Sequence, residues 1–195
     1  LQSYKNRFQT NEINAGVAYE YDHEKGYFQL ELGSRWMGYE LKSFYNNDVY
    51  LNKKTDVLPN IRISNSFKFG KSTRLYLSYR YSGSLPGMYQ LLEYQDLSST
   101  LSVSQGNGNL KSKLSNGINL NFSNYDYLTR SGYYIYAGGS LDSRGIMDVV
   151  SYDEGFKSFR TFENTSGTGY AYLGASFNKS YKLGVNTLSY EVSLN

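Results

Sequence analysis

Ile61-Arg62-Ile63-Ser64-Asn65-Ser66-Phe67-Lys68-Phe69-Gly70-Lys71-Ser72-Thr73-Arg74-Leu75-Tyr76-Leu77-Ser78-Tyr79-Arg80-Tyr81 decides how the chain is read. Apolar side chains fall on Ile61, Ile63, Phe67 and Phe69, and polar ones on Arg62, Ser64, Ser66 and Lys68, with Asn65 breaking the apolar set once. Period-two alternation sends the two sets to opposite faces of a strand. Gly70-Lys71-Ser72-Thr73 turns the chain, and the return run sets Leu75, Leu77, Tyr79 and Tyr81 against Arg74, Ser78 and Arg80. The stretch is an antiparallel hairpin with one apolar and one polar face.

Six further runs repeat this grammar. Upstream, a strand over about residues 11–22 turns at His23-Glu24-Lys25-Gly26 into a run with Phe28, Leu30, Leu32 and Trp36 on one face and Gln29, Glu31 and Arg35 on the other. Downstream come Leu114, Ile118, Leu120 and Phe122; then Tyr133, Ile135, Ala137 and Leu141; then Ala171, Leu173, Ala175 and Phe177; and last Leu188, Tyr190, Val192 and Leu194. The connections alternate. Four are short, and three (about residues 43–57, 82–113 and 143–169) are long and polar.

A soluble sandwich with one wet face also alternates apolar and polar residues. Three features favour a membrane wall instead. The strands span about 9 to 13 residues, as a tilted membrane strand requires and a typical soluble strand of about 5 to 6 does not. Short turns all fall at one end and long loops at the other. Aromatic side chains gather beside the short turns, among them Tyr19, Tyr21, Phe67, Phe69, Tyr133 and Phe177, where rings with an apolar body and a wet tip suit headgroup depth. Hydrocarbon leaves no backbone group unpaired, so such a wall must close, alone or with more strands.

Composition agrees. The 195 residues hold 22 Tyr, 10 Phe and 19 Gly against two Pro, a strand-rich mixture. Net charge is +3 without a basic run or basic helix, so a nucleic-acid partner is not expected. Cysteine is absent, which removes disulfides and thiolate metal sites. No apolar run is long enough for a transmembrane helix, and the first seven residues contain no signal core.

Specific residues add a family resemblance. Leu58-Pro59-Asn60 opens a strand, Leu75-Tyr76-Leu77-Ser78-Tyr79-Arg80-Tyr81-Ser82 forms the next, Pro86 precedes Gln90-Leu91, and Gly106-Asn107-Gly108-Asn109-Leu110-Lys111 follows. In order and spacing this resembles the outer-membrane β-barrel family related to TonB-dependent transporters, with Leu85 where the family has Arg and Gly108 where it has Pro. The resemblance covers about residues 58–122. It implies a barrel of about 22 strands with an N-terminal plug, energised from the inner membrane and importing bulky nutrients or chelated metals. These residues would then be a middle portion of the barrel without the plug.

Other motifs have plainer readings. Gly70-Lys71-Ser72-Thr73 lacks the glycine at 65 and the following helix that a phosphate-binding loop needs, and reads as a turn. Gly106-Asn107-Gly108-Asn109 is a flexible surface loop in preference to a ligand cradle. Asp142, Asp148, Asp153 and Glu154 could gather round calcium, but their spacing fits no established loop. His23 is the only histidine, so neither a catalytic site nor a metal site is expected, and no cofactor. Tyr45, Tyr50, Tyr89, Tyr94, Tyr152, Phe156, Phe159 and Phe162 supply aromatic loop surface.

The expected fold is all-β: an antiparallel transmembrane β-barrel segment of about eight strands over residues 1–195, part of a larger barrel in the outer membrane of a Gram-negative cell. Gln29, Glu31, Arg35, Arg62, Lys68, Arg74 and Arg80 are the lumen-facing candidates. Leu30, Leu32, Ile61, Ile63, Leu75, Leu77, Ile118, Leu120, Leu173, Leu188 and Val192 are the lipid-facing ones. Expected partners are the bilayer, the remaining strands and plug, and an inner-membrane energising protein or an envelope complex. The leading function is non-enzymatic uptake of a nutrient or chelate. Alternatives are a scaffold barrel in an envelope complex and a secreted glycan-binding sandwich.

Overall fold

A computed structural model describes residues 4–45, 48–93 and 101–194. In chain order it contains β1 (Tyr4–His23), β2 (Gly26–Tyr45), β3 (Asp48–Phe69), β4 (Thr73–Ser84), the one-turn helix α1 (Met88–Leu91), β5 (Ser102–Ser104), β6 (Lys113–Asp126), β7 (Ser131–Tyr152), β8 (Ser158–Thr165), β9 (Thr168–Leu183) and β10 (Asn186–Leu194). β1, β2, β3, β4, β6, β7, β9 and β10 form one antiparallel meander, the eight strands that periodicity predicts. β8 pairs with the far part of β7, and β5 adds to β8 in parallel. The sheet is open: among the described residues β1 pairs only with β2 and β10 only with β9.

Cross-strand partners share a face, so the register sorts the side chains without ambiguity. One row runs Tyr19, Leu30, Ile63, Tyr79, Ile118, Gly139 and Ala171. A neighbouring row on the opposite face runs Glu31, Arg62, Arg80, Gly117, Ser140 and Tyr170. Alternation along each strand thus becomes two continuous surfaces across the meander. Gly70 at φ +74° and Gly184 at φ +64° take the left-handed conformation that their turns need and that a side chain would resist.

Two expected loops are strand. β2 continues to Tyr45 and β3 begins at Asp48, with pairs such as Leu41 to Asn52 and Lys42 to Leu51, so most of residues 43–57 is hairpin. Likewise β7 extends to Tyr152 and pairs with β8 inside residues 143–169. These strands reach 20 to 22 residues, well past the predicted length. Backbone pairing needs only donors and acceptors in register, and it persists where the hydrophobic pattern that reveals a strand has changed. The short turns are also tighter than expected, for β6 extends to Asp126 and β7 starts at Ser131.

Burial is concentrated at the long-loop end. Tyr39, Leu41, Leu91, Leu92 and Leu110 form a buried cluster, with Phe8, Leu85, Met88, Ile146 and Phe162 packed round it. Among the described residues no second sheet covers the apolar face of the meander. The sandwich alternative needs such a layer.

Candidate functional site

The apolar face is largely uncovered. Ile13, Val17 and Leu173 are 69%, 73% and 69% exposed, with Ile118, Leu188 and Val192 also exposed. All eleven lipid-facing candidates fall on this one face by register. On β3 the apolar band extends from Phe69 to Val57, both exposed. That separation is about 40 Å along a strand at ~3.3 Å per residue. At a tilt of about 45° it is about 28 Å of height, close to the thickness of a bilayer's hydrocarbon core. Rings crowd its short-turn margin: Phe67 lies 6.3 Å from Phe69, Phe122 5.8 Å from Tyr133 and Phe177 6.1 Å from Tyr190, by centroid.

The opposite face has two sectors. On β2 to β4 it carries all seven lumen-facing candidates. Arg62 approaches Glu31 at 3.8 Å, Arg35 reaches Glu12 at 3.5 Å and donates to the Gly83 carbonyl, and Gln29 Nε2 donates to Glu20 Oε1 at 2.7 Å. Arg62 also stands opposite Arg80, and Lys68 opposite Arg74. Like charges in direct register repel, so this sector favours an anionic or strongly hydrated surrounding.

Across β6 to β9 the same face becomes aromatic. Tyr134, Tyr136, Tyr172 and Tyr170 form a continuous strip, with centroids 5.6, 6.2 and 6.3 Å apart in turn. The Tyr136 ring covers Gly174, its cross-strand partner, and Tyr172 covers Gly138. Tyr172 is oriented by donating to Asn119 Oδ1 at 2.6 Å. Nothing in the sequence analysis singled out Tyr136, Tyr170 or Tyr172. Tyr opposite Gly in register was the available signal, and it requires the pairing to be known.

Residues 85–93 and 101–112 fold inward across the polar face at the long-loop end. Asn52 Nδ2 donates to the Gly108 carbonyl at 3.1 Å, Lys54 Nζ to the Leu110 carbonyl at 3.1 Å, and the Ser112 hydroxyl to Asp56. From the β7–β8 hairpin, the Phe162 carbonyl accepts from Asn107 Nδ2 at 2.9 Å, while Asn164 accepts from Lys111 N at 2.7 Å and donates back to its carbonyl at 2.9 Å. Gly106-Asn107-Gly108-Asn109 is therefore a pinned structural element, contrary to the flexible loop expected. Tyr39, under this cap, has its phenol pKa raised, by burial first and then by Asp56 and Glu93. A cleft of about 220 Å³ remains beside the cap, lined by Leu41, Tyr50, Asn52, Glu93 and Asn109.

The loop carboxylates do not converge. Asp142 pairs with Lys113 at 2.7 Å, Asp148 with Arg160 at 3.9 Å, and Asp153 caps its own turn by accepting from Gly155 N and Lys157 N, each at 2.9 Å. Of the loop aromatics, Phe162 packs into the buried cluster while Tyr50, Tyr89, Tyr152, Phe156 and Phe159 are exposed. Tyr94 and the Tyr45 side chain lie outside the described residues.

A single antiparallel meander, apolar on one face over a bilayer's thickness and polar on the other, defines a transmembrane β-barrel wall. The family model described as "Outer membrane protein beta-barrel family" matches residues 2–195, and the chain belongs to that family. It is an outer-membrane protein of the Gram-negative envelope, in contact with the lipid bilayer. Among solved structures it is similar to the siderophore receptor PirA from Pseudomonas aeruginosa, at 12% identity and a TM-score of 0.46, over 98% of this chain and 43% of that one. The siderophore receptor PirA from Acinetobacter baumannii gives 12% identity and a TM-score of 0.45, over 95% of this chain and 37% of that one. The chain thus spans less than half the length of either receptor. Comparison with curated proteins gives no match.

Proposed function

We propose that residues 1–195 form a sector of the wall of an outer-membrane receptor-transporter of the TonB-dependent kind, taking up a bulky nutrient or chelate. Leu30, Leu32, Ile61, Ile63, Leu75, Leu77, Ile118, Leu120, Leu173, Leu188 and Val192 face lipid. Gln29, Glu31, Arg35, Arg62, Lys68, Arg74 and Arg80 face the lumen, and the long-loop end is extracellular. Further strands close the barrel against β1 and β10, whose free edges hydrocarbon would penalise by several kcal/mol per unpaired group. A plug supplied by other residues fills the lumen, and an inner-membrane energising protein drives its rearrangement. The wall performs no chemistry.

One observation supports uptake over scaffolding: the cap is pinned inward over the polar face instead of outward. A scaffold barrel that holds partners by its loops has no need to cover its own lumen. With the cap inward, the adjoining cleft meets a solute at the mouth, and the polar sector carries it on once the plug moves. Cells bearing the full-length protein are expected to take up members of a panel of radiolabelled ferric chelates and other bulky nutrients, and to stop when the inner-membrane proton gradient is collapsed. Uptake that continues without the gradient refutes energised transport, and the absence of uptake of any panel member favours the scaffold.

A further inference from the structure

Beside the cap, the face of the β2–β3 hairpin that bears Tyr39 and Leu41 leaves two polar groups without the partners their chemistry requires. Ser43 is 6% exposed and lines the cleft there. Among the described residues its hydroxyl meets no hydrogen-bond partner, although a buried hydroxyl is costly to leave unpaired. Glu93 follows α1 and lines the same cleft. A side chain at Gly108 would strike both the Glu93 carboxylate and the Asn52 carboxamide, which places the two together against the cap. Among the described residues no lysine or arginine pairs with Glu93: Lys54, on the same face of β3 as Asn52, is held by Asp56 at 3.7 Å and by the Leu110 carbonyl at 3.1 Å. Asn52 is engaged as well, accepting from the Tyr39 hydroxyl at 3.2 Å and donating to the Gly108 carbonyl at 3.1 Å.

The rest of the lining decides what would satisfy both groups. Leu41 and Leu91, 3% and 1% exposed, are apolar, while Asn109 and the Tyr50 phenol add neutral polar atoms. An anion would be repelled by Glu93. A hard divalent cation takes about six to eight oxygen ligands, commonly with several carboxylates, and among the described residues no three acidic, histidine or cysteine side chains gather to hold one. An ammonium group has a single charge and three donors with no acceptor, which match the Glu93 carboxylate, the Ser43 hydroxyl and the Asn109 carboxamide oxygen. A carbon stem behind it suits Leu41 and Leu91, as lysine stems lie along apolar surface. The cleft, about 220 Å³, exceeds the ~30 Å³ share of a water molecule and falls short of the ~300 Å³ of a small drug-sized site. It holds one group of a solute and not the whole.

We propose that Ser43, Glu93 and Asn109 form a recognition site for a primary alkylammonium group, the end of a lysine side chain in a peptide or of a free aliphatic amine. This site rests on the uptake reading for the solute's approach from the long-loop side, whereas binding itself needs neither plug nor gradient. Glu93 supplies the attraction. Ser43 selects a cation that can donate a hydrogen bond, which a quaternary ammonium cannot do. The cap fixes the remaining side: Gly108 is held by Asn52, and Asn109 N donates to Asn107 Oδ1 at 3.0 Å.

The test is saturation-transfer NMR on the full-length protein in detergent micelles, with Nα-acetyl-lysine amide, its Nε-acetyl and Nε-trimethyl forms, and 1,5-diaminopentane as probes. The lysine amide is expected to bind about tenfold or more tightly than its Nε-acetyl and trimethyl forms. Tighter binding of the lysine amide than of diaminopentane supports the site with a peptide as the source of the amine, and the reverse order supports it with a free diamine. Glu93→Gln should lower affinity about tenfold or more and Ser43→Ala about threefold, while Glu163→Gln, which removes the same charge from β8, leaves it unchanged. Circular dichroism checks that each variant keeps its strands. Equal affinity for the lysine amide and either modified form, no binding of either amine by the wild type, or unchanged affinity in folded Glu93→Gln overturns the proposal. An equal loss in Glu163→Gln overturns it too and assigns the attraction to general surface charge. Energised uptake without amine binding overturns this site alone, whereas amine binding without energised uptake overturns the transport reading alone.

Discussion

Arginine placed at Ile63 should destabilise the protein far more than arginine placed at Val57, though both positions share one strand and one face. The apolar band on β3 runs from Val57 to Phe69, which makes Ile63 its midpoint and Val57 its edge. A cation on the lipid face costs about 2 to 4 kcal/mol at the bilayer midplane and about 0 to 1 near the interface. Ile63→Arg should therefore lower the folding constant by about 30- to 700-fold and Val57→Arg by about fivefold or less. Ser78→Arg, on the other face at the depth of Ser64, tests whether the cost belongs to lipid and not to crowding, and should be below about 1 kcal/mol if that face is hydrated. The assay is reversible guanidinium unfolding of the full-length protein from phosphatidylcholine bilayers. Equal costs at 57 and 63, or a larger cost at 78 than at 63, would refute a lipid-facing band.

Asn164→Ala should loosen the cap, because one carboxamide serves Lys111 N, the Lys111 carbonyl and the Gly145 carbonyl. A loss of about 1 to 3 kcal/mol of local protection at the Lys111 amide is expected by hydrogen exchange, with the meander amides unchanged. Tyr136→Ala and Tyr172→Ala, which uncover Gly174 and Gly138, should each cost up to about 1 kcal/mol in the same unfolding assay, whereas Tyr89→Ala on the exposed cap should cost little. Glu40 should titrate below the ordinary glutamate range, chiefly through its hydrogen bond with Lys42 and then the charges of Lys42, Lys53 and Arg7. Its folded value being depressed, its contribution is present above the unfolded glutamate pKa and is lost as pH falls through the folded one. Carboxyl NMR should show the midpoint moving up in Lys42→Met.

How much of this was legible from sequence depends on which environment a residue meets. Below Trp36, β2 alternates apolar even positions with polar odd ones, as the proposed orientation with lipid on one side and a polar space on the other requires, and the reading of Phe28, Leu30 and Leu32 against Gln29 and Glu31 is the register found. Past Trp36 the phase reverses: Tyr39 and Leu41 are buried under the cap while Glu40 and Lys42 face out. Nothing slips in the ladder. The buried side changes where the cap begins, and a reader seeking one constant phase sees the strand stop there.

The cap was hidden for another reason. Its glycines and asparagines look like loop material, and what pins them are single contacts from residues 50 to 60 positions away in the chain, such as Asn52 to Gly108 and Asn107 to Phe162. The tyrosine strip likewise exists only across two strands, β7 and β9, that are far apart in the chain. Local periodicity reports the faces of a strand but not which distant strand stands beside it.

A face at Leu30, Ile63, Leu77 and Leu120 that touches lipid, and one at Glu31, Arg62 and Arg80 that touches water, predict a period-two pattern of accessibility along each strand. The chain has no cysteine, so single cysteines at each of residues 57–69 and 73–81 of the full-length protein can carry spin labels in bilayers. Accessibility to oxygen should peak at the odd positions of both strands, and accessibility to a water-soluble nickel chelate at the even ones. The same accessibility at odd and even positions, or the opposite phase, would contradict it.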